Sequence, residues 1–145
     1  MPKEFWFEEK PRISICGKQY ECDPTDPDLI RGVMRDFPQI TSLASALIAL
    51  KNRLNAAARE RDSKKIHDIS QEALEKNEEI LLACQNFIFG TVGEEEYKEI
   101  FSGRRPNAAE HISLCTHIFE HITEGRISYL KEYLDPPAEN ADACR

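Results

Sequence analysis

Between Leu43 and Ile88 the apolar residues return at short, regular intervals: Leu43, Leu47, Leu50, Leu54 and Ala57, then Ile66, Ile69, Ala73, Leu74, Ile80, Leu81, Cys84, Phe87 and Ile88. A helix turns about 100° per residue, so steps of three and four gather such side chains into one lengthwise stripe and leave the other faces to charge. The region therefore predicts long amphipathic helices, and each stripe needs a cover. Thr41 or Ser42 is placed to cap the first run. Ser63 opens the second, either continuous with the first or beyond a kink, and Gly90 closes it.

The flanks read differently. From Asp23 to Pro38 the chain is punctuated by Pro24, Pro27 and Pro38. Asp26 is placed to cap a short helix that starts at Pro27 and ends before Pro38. Glu94 to Phe101 predicts a further short helix, with Glu94, Glu95 and Glu96 in the first turn, where the helix dipole favours anions, and Gly103 past its end. Asn107 caps a last helix reaching about Leu134, with Ile112, Cys115, Ile118, Phe119, Ile122, Ile127 and Leu130 along one side, and Pro136-Pro137 stops it.

Ahead of the helices, Pro11 to Asp23 alternates apolar and polar residues, the period of a strand. Gly17-Lys18 fits a two-residue type II′ turn, which sets Cys16 against Gln19, Ile15 against Tyr20 and Ile13 against Cys22. One face then carries Ile13, Ile15, Tyr20 and Cys22, and the other Arg12, Ser14 and Glu21. A lone two-stranded ribbon is marginal in water, so the apolar face must lie on helices or on another copy. Phe5, Trp6 and Phe7 are expected to anchor the N-terminus in the core. The fold class is thus mainly α, a helical domain of four to five helices with a small N-terminal β-hairpin. It reads as a single domain over residues 1–135, with the hairpin at 11–23, helices over 27–135 and a flexible tail at 136–145.

Length and charge narrow the function classes. A chain of 145 residues is large enough to bury a core without metal or disulfides. Five cysteines form no C-x-x-C pair, which argues against a disulfide framework or zinc knuckle and fits a reducing cytoplasm. A net charge of −7 disfavours general attraction to nucleic acid or anionic lipid, and no run approaches the roughly 20 apolar residues that span a bilayer. Protein partners become the leading class, and a homo-oligomer stays open.

Three clusters invite chemistry. His111, Cys115, His117, Glu120 and His121 share the last helix, and His117 and His121, four apart, could take two positions on zinc. His111 and Cys115 lie roughly 120° further round, so one helix cannot close such a site, and no metal, cofactor or catalytic residue is expected. Lys51, Arg53, Arg59, Arg61, Lys64 and Lys65 make a basic stretch, but no aromatic residue stands between Phe37 and Phe87 to stack on bases. It reads as a solvated helix face. The glutamates at 94–96 read as a helix start, with no elbow or glycine-rich loop beside them for nucleophilic or phosphate chemistry.

The run Cys-Gln-Asn-Phe-Ile-Phe-Gly from Cys84, followed by Glu-Glu-Glu-Tyr-Lys-Glu-Ile-Phe-Ser-Gly-Arg-Arg-Pro-Asn from Glu94, resembles the C-terminal half of small tail-region proteins of phages and prophages of Gram-positive bacteria. The hairpin from Ile13 to Asp23 resembles the opening of the same proteins. The likeness spans Ile13 to Leu134, with no motif between Asp36 and Lys76. It implies a tail assembly chaperone: a non-enzymatic protein of the bacterial host cytoplasm that binds tape-measure and tail-tube proteins, with no catalytic residues to carry over. The expected contact residues are Phe87, Phe89, Tyr97, Ile100 and Phe101. Alternatives are a structural tail component forming a ring or stack through the hairpin edge, a metal-dependent hydrolase built on the His111–His121 helix, and a helical transcription regulator.

Overall fold

The computed structural model describes residues 4–5 and 11–134. A hairpin of β1 (Arg12–Ile15) and β2 (Lys18–Glu21) precedes four helices, α1 (Pro27–Glu60), α2 (Ser63–Thr91), α3 (Glu94–Ile100) and α4 (Ala108–Leu134). No helix among these residues is long and apolar enough to cross a membrane.

The hairpin turns one residue earlier than Gly17-Lys18. Cys16 and Gly17 form the loop with φ of 52° and 80°, the paired positive values of a type I′ turn. Ile15 therefore faces Lys18 and Ile13 faces Tyr20, and the ladder continues through the Cys22 N–H donating to Pro11 O at 3.0 Å. The pairing slips by two positions from the expected register. Side chains alternate with period two, so an even slip keeps the same face. Ile13, Ile15, Tyr20 and Cys22 are buried as expected.

Pro38 does not end a helix. Asp26 caps α1 through the Asp28 N–H, Pro27 opens it, and the helix runs unbroken through Pro38 for 34 residues. Pro38 is exposed, so water can satisfy the carbonyl that its missing N–H leaves free, while Phe37, Ile40 and Leu43 on the inner side keep the helix packed. The break comes at Arg61 instead. Its φ of 55° closes α1 as a Schellman motif, with the Asp62 N–H bonding Ala57 O at 3.2 Å, and Asp62 then caps α2 through the Lys65 N–H. Nor does Gly90 end α2, which runs to Thr91. Gly93, at φ 124°, makes the exit and returns its N–H to Ile88 O at 3.1 Å.

The two-residue link at Arg61-Asp62 folds α2 back along α1. Near the link the buried seam is thin, with Leu50, Ala57 and Ile69 backed by Leu54, Ile66 and Ala73. Leu74, expected on the stripe, is 52% exposed. The three-four rhythm of Ile66, Ile69, Ala73 and Ile80 passes instead by Lys76 and Asn77, both of them half-buried.

At the other end α4 and the hairpin complete the main core. Phe37 stacks on Phe119 with ring centroids 4.0 Å apart and meets Phe87 at 5.8 Å, so α1, α2 and α4 converge there. His117 donates from Nε2 to Ser14 O at 2.9 Å and His121 to Cys22 O at 3.4 Å, so one turn of α4 grips both sides of the hairpin. Just beyond, Pro24 lies against Gly125, where a Cβ would come within 2.5 Å of Pro24 Cγ. The apolar line of α4 outruns this core: Ile127 is 53% and Leu130 39% exposed, against the expectation that both are buried. Phe5, expected in the core, is 78% exposed, and Trp6, Phe7 and the 136–145 tail lie outside the described residues.

Two substitutions test this account by chemical denaturation. Arg61→Gly should stabilise the protein by about 0.5–1 kcal/mol, because glycine adopts the left-handed region without a Cβ clash. Gly125→Ala should cost up to about 2 kcal/mol, the overpacking against Pro24 outweighing the roughly 1 kcal/mol of helix propensity that alanine brings.

Candidate partner-binding groove

α3 is a short helix that holds its place through aromatic contacts. Tyr97 lies edge-on to Phe89 at 5.1 Å and beside Phe101 at 4.8 Å, and Phe101 stacks on His111 at 4.1 Å with an interplanar angle of 13°. His111 is fully buried. Its Nδ1 lies 2.8 Å from Asn107 O, an atom that only accepts, so Nδ1 carries a proton, and Nε2 shares a hydrogen bond with the Tyr97 hydroxyl, 2.7 Å away. Tyr97 in turn accepts from Gln85 Nε2 at 3.0 Å. The chain of bonds ties α2, α3 and α4 together, and no buried side-chain polar atom among the described residues lacks a partner.

Where this platform meets the hairpin turn, a groove of about 390 Å³ opens, lined by Ile15, Cys16, Ile100, Phe101, Ala109 and Leu114, with Ser113 on its wall and Arg104 and Glu110 at its mouth. Arg104 pairs with Glu110 at 3.3 Å. The floor is apolar and rests on the His111–Tyr97 network, which makes it a preformed hydrophobic slot on rigid support. A larger cleft of about 570 Å³, beside β2 and the start of α1, is lined by acids. Most of those carboxylates are engaged locally: Asp23 with Thr25, Asp26 as the α1 cap, Asp28 with Arg31 and Glu99 with Lys18. The apolar groove is the better candidate.

The expected contact residues divide. Ile100 and Phe101 line the groove, Tyr97 and Phe89 brace it from behind, and Phe87, 1% exposed, belongs to the core and offers nothing to a partner. Phe87 is a correction: it sits where α1, α2 and α4 converge. Ile15 and Cys16 come to the groove from the distant hairpin, and Ala109 and Leu114 from the start of α4. Only Leu114, apolar but off the main stripe of α4, carried a local signal.

The histidine-rich helix is used for hydrogen bonding. His111, His117 and His121 all hold backbone carbonyls, and Cys115 Sγ lies 3.7 Å from Cys84 O. Among the described residues no three His, Cys, Asp or Glu side chains are grouped to hold a metal ion. A hydrogen bond shared with Cys84, together with burial, pushes the Cys115 thiol up, and burial beside Asp23 pushes Cys22 up to about 11. Both remain protonated thiols at neutral pH, whereas Cys16 is exposed at the groove lip. The basic side chains of Lys51, Arg53, Arg59, Arg61, Lys64 and Lys65 are exposed around the far end of the α1–α2 pair.

No family model, curated protein or solved structure matches the chain.

Tyr97→Phe keeps the ring contacts but leaves the buried His111 Nε2 without its hydrogen-bond partner. It should cost about 1–3 kcal/mol in thermal or chemical unfolding. A variant as stable as the parent would show that the network does not support the groove.

Proposed function

We propose that this chain is a non-enzymatic protein-binding protein, a tail assembly chaperone that holds apolar helical segments of a tape-measure protein and engages tail-tube subunits in the host cytoplasm. The observation that carries the reading is the apolar groove between the hairpin turn, α3 and α4, which is concave, rigidly backed and of a size to accept the side chains of one face of a helix. The likeness of the Cys84–Asn107 run and of the hairpin to phage tail-region proteins supplies the partner class. A tape-measure protein carries long apolar helical stripes that must stay covered until the tube encloses them, and a net charge of −7 favours the solubility of a loaded complex.

Titration calorimetry with amphipathic segments of a tape-measure protein tests it. The parent should bind, and Ile100→Asp or Leu114→Asp should weaken binding at least tenfold with an unchanged helical circular dichroism spectrum, since each places a charge in the apolar slot. Absence of binding by the parent, or full binding by both variants, would overturn the reading. A structural tail component is the second reading, favoured by the two-stranded sheet, which has no further strand on either edge among the described residues. Detection of the chain in purified virions would favour it over the chaperone.

A further inference from the structure

The exposed end of α4 forms a second apolar surface, distinct from the groove above. Ile30 and Met34 of α1 and Phe119, Ile127 and Leu130 of α4 line a depression of about 350 Å³ with Arg126 on its rim. Met34 is 64% exposed, and Ile127 and Leu130 stand out beside it. Isolated apolar residues on a surface need no explanation, but here they are contiguous and continue a buried stripe past the point where the core among the described residues ends.

The charges flanking this stripe are self-complementary. Glu124 and Lys131 are seven positions apart, so at about 100° per residue they lie within about 20° of each other on α4, and Ile127 is about 60° from Glu124. Both are exposed, and neither forms an ion pair among the described residues. Two copies of α4 crossed antiparallel about Ile127 set Glu124 of each against Lys131 of the other. Ile127 and Leu130 of each copy then meet the Met34 side of the other. A single twofold operation thus covers both apolar faces and pairs four charges, the signature of an isologous contact.

We infer that the occupant of this surface is a second copy of the chain, and that the protein is a twofold dimer joined through the C-terminal half of α4 and the adjoining face of α1. The α3 groove remains open on each subunit, so the dimer presents two partner-binding slots.

Sedimentation equilibrium of the full chain across a wide concentration range tests the assignment. The parent should reach twice the chain mass at high concentration. Ile127→Glu should remain monomeric with an unchanged circular dichroism spectrum, because the residue is exposed in the single chain. Glu124→Lys and Lys131→Glu should each weaken association about tenfold, and the double reversal should restore it. A parent that stays monomeric at every concentration overturns the inference, because another segment or a foreign partner must then cover the surface. A dimer indifferent to these substitutions overturns it equally, because the contact must lie elsewhere.

Discussion

Two long helices joined by only two residues have little choice of partner: α2 must lie back along α1, and their stripes bury each other. Each Leu, Ile or Phe side chain taken fully from water stabilises the fold by about 1.5–3 kcal/mol. The seam from Ile40 through Ile80 to Phe87 is the frame on which the remaining elements depend. α4 docks where Phe37 meets Phe119 and Phe87, the hairpin lies on the core, and α3 is pinned through Tyr97 and Phe101. The apolar groove exists because these elements leave a gap between the hairpin turn and the end of α3.

Histidines do much of the positioning. His117 and His121 fix the hairpin by its backbone, so the grip does not depend on which side chains the strands carry, and His111 locks the groove floor through a proton whose place is set by Asn107 O. Four residues of spacing that would suit a metal also suit two carbonyls of a strand pair lying across a helix. Here both ring nitrogens of His111 and Nε2 of the other two are already spent on hydrogen bonds. The geometry favours holding a surface in shape.

Much of the fold was legible in the sequence because its signals are periodic. The mainly α class, the hairpin face, the capping roles of Asp26 and Asn107 and the extents of α3 and α4 follow from spacing and end chemistry. The failures are local. Arg61 occupies a left-handed cap position that glycine usually marks, so the true break at the α1–α2 link carried no flag. Pro38 looks like a stop but faces water. The stripe counted Leu74, which stands out in solvent. Of the groove residues, Ile100 and Phe101 were among the contacts expected from the sequence. Ile15, Cys16 and Ala109 were not, because their proximity comes from tertiary packing. Periodicity likewise cannot say where a stripe loses its cover, which is why Ile127 and Leu130 read as buried.

The far end of the α1–α2 pair stands on a thinner base than the rest. Leu50, Ala57 and Ile69 are its buried side chains among the described residues, and they form a cluster separate from the main core that holds the hairpin residues. Local opening free energy tracks such burial, so the helix ends beside Arg61 need less free energy to open than the Phe37 junction does. The molecule is consequently graded in rigidity along its length. Insertion or loss of whole heptads in the outer arm alters reach and charge while the end that carries the apolar groove keeps its geometry.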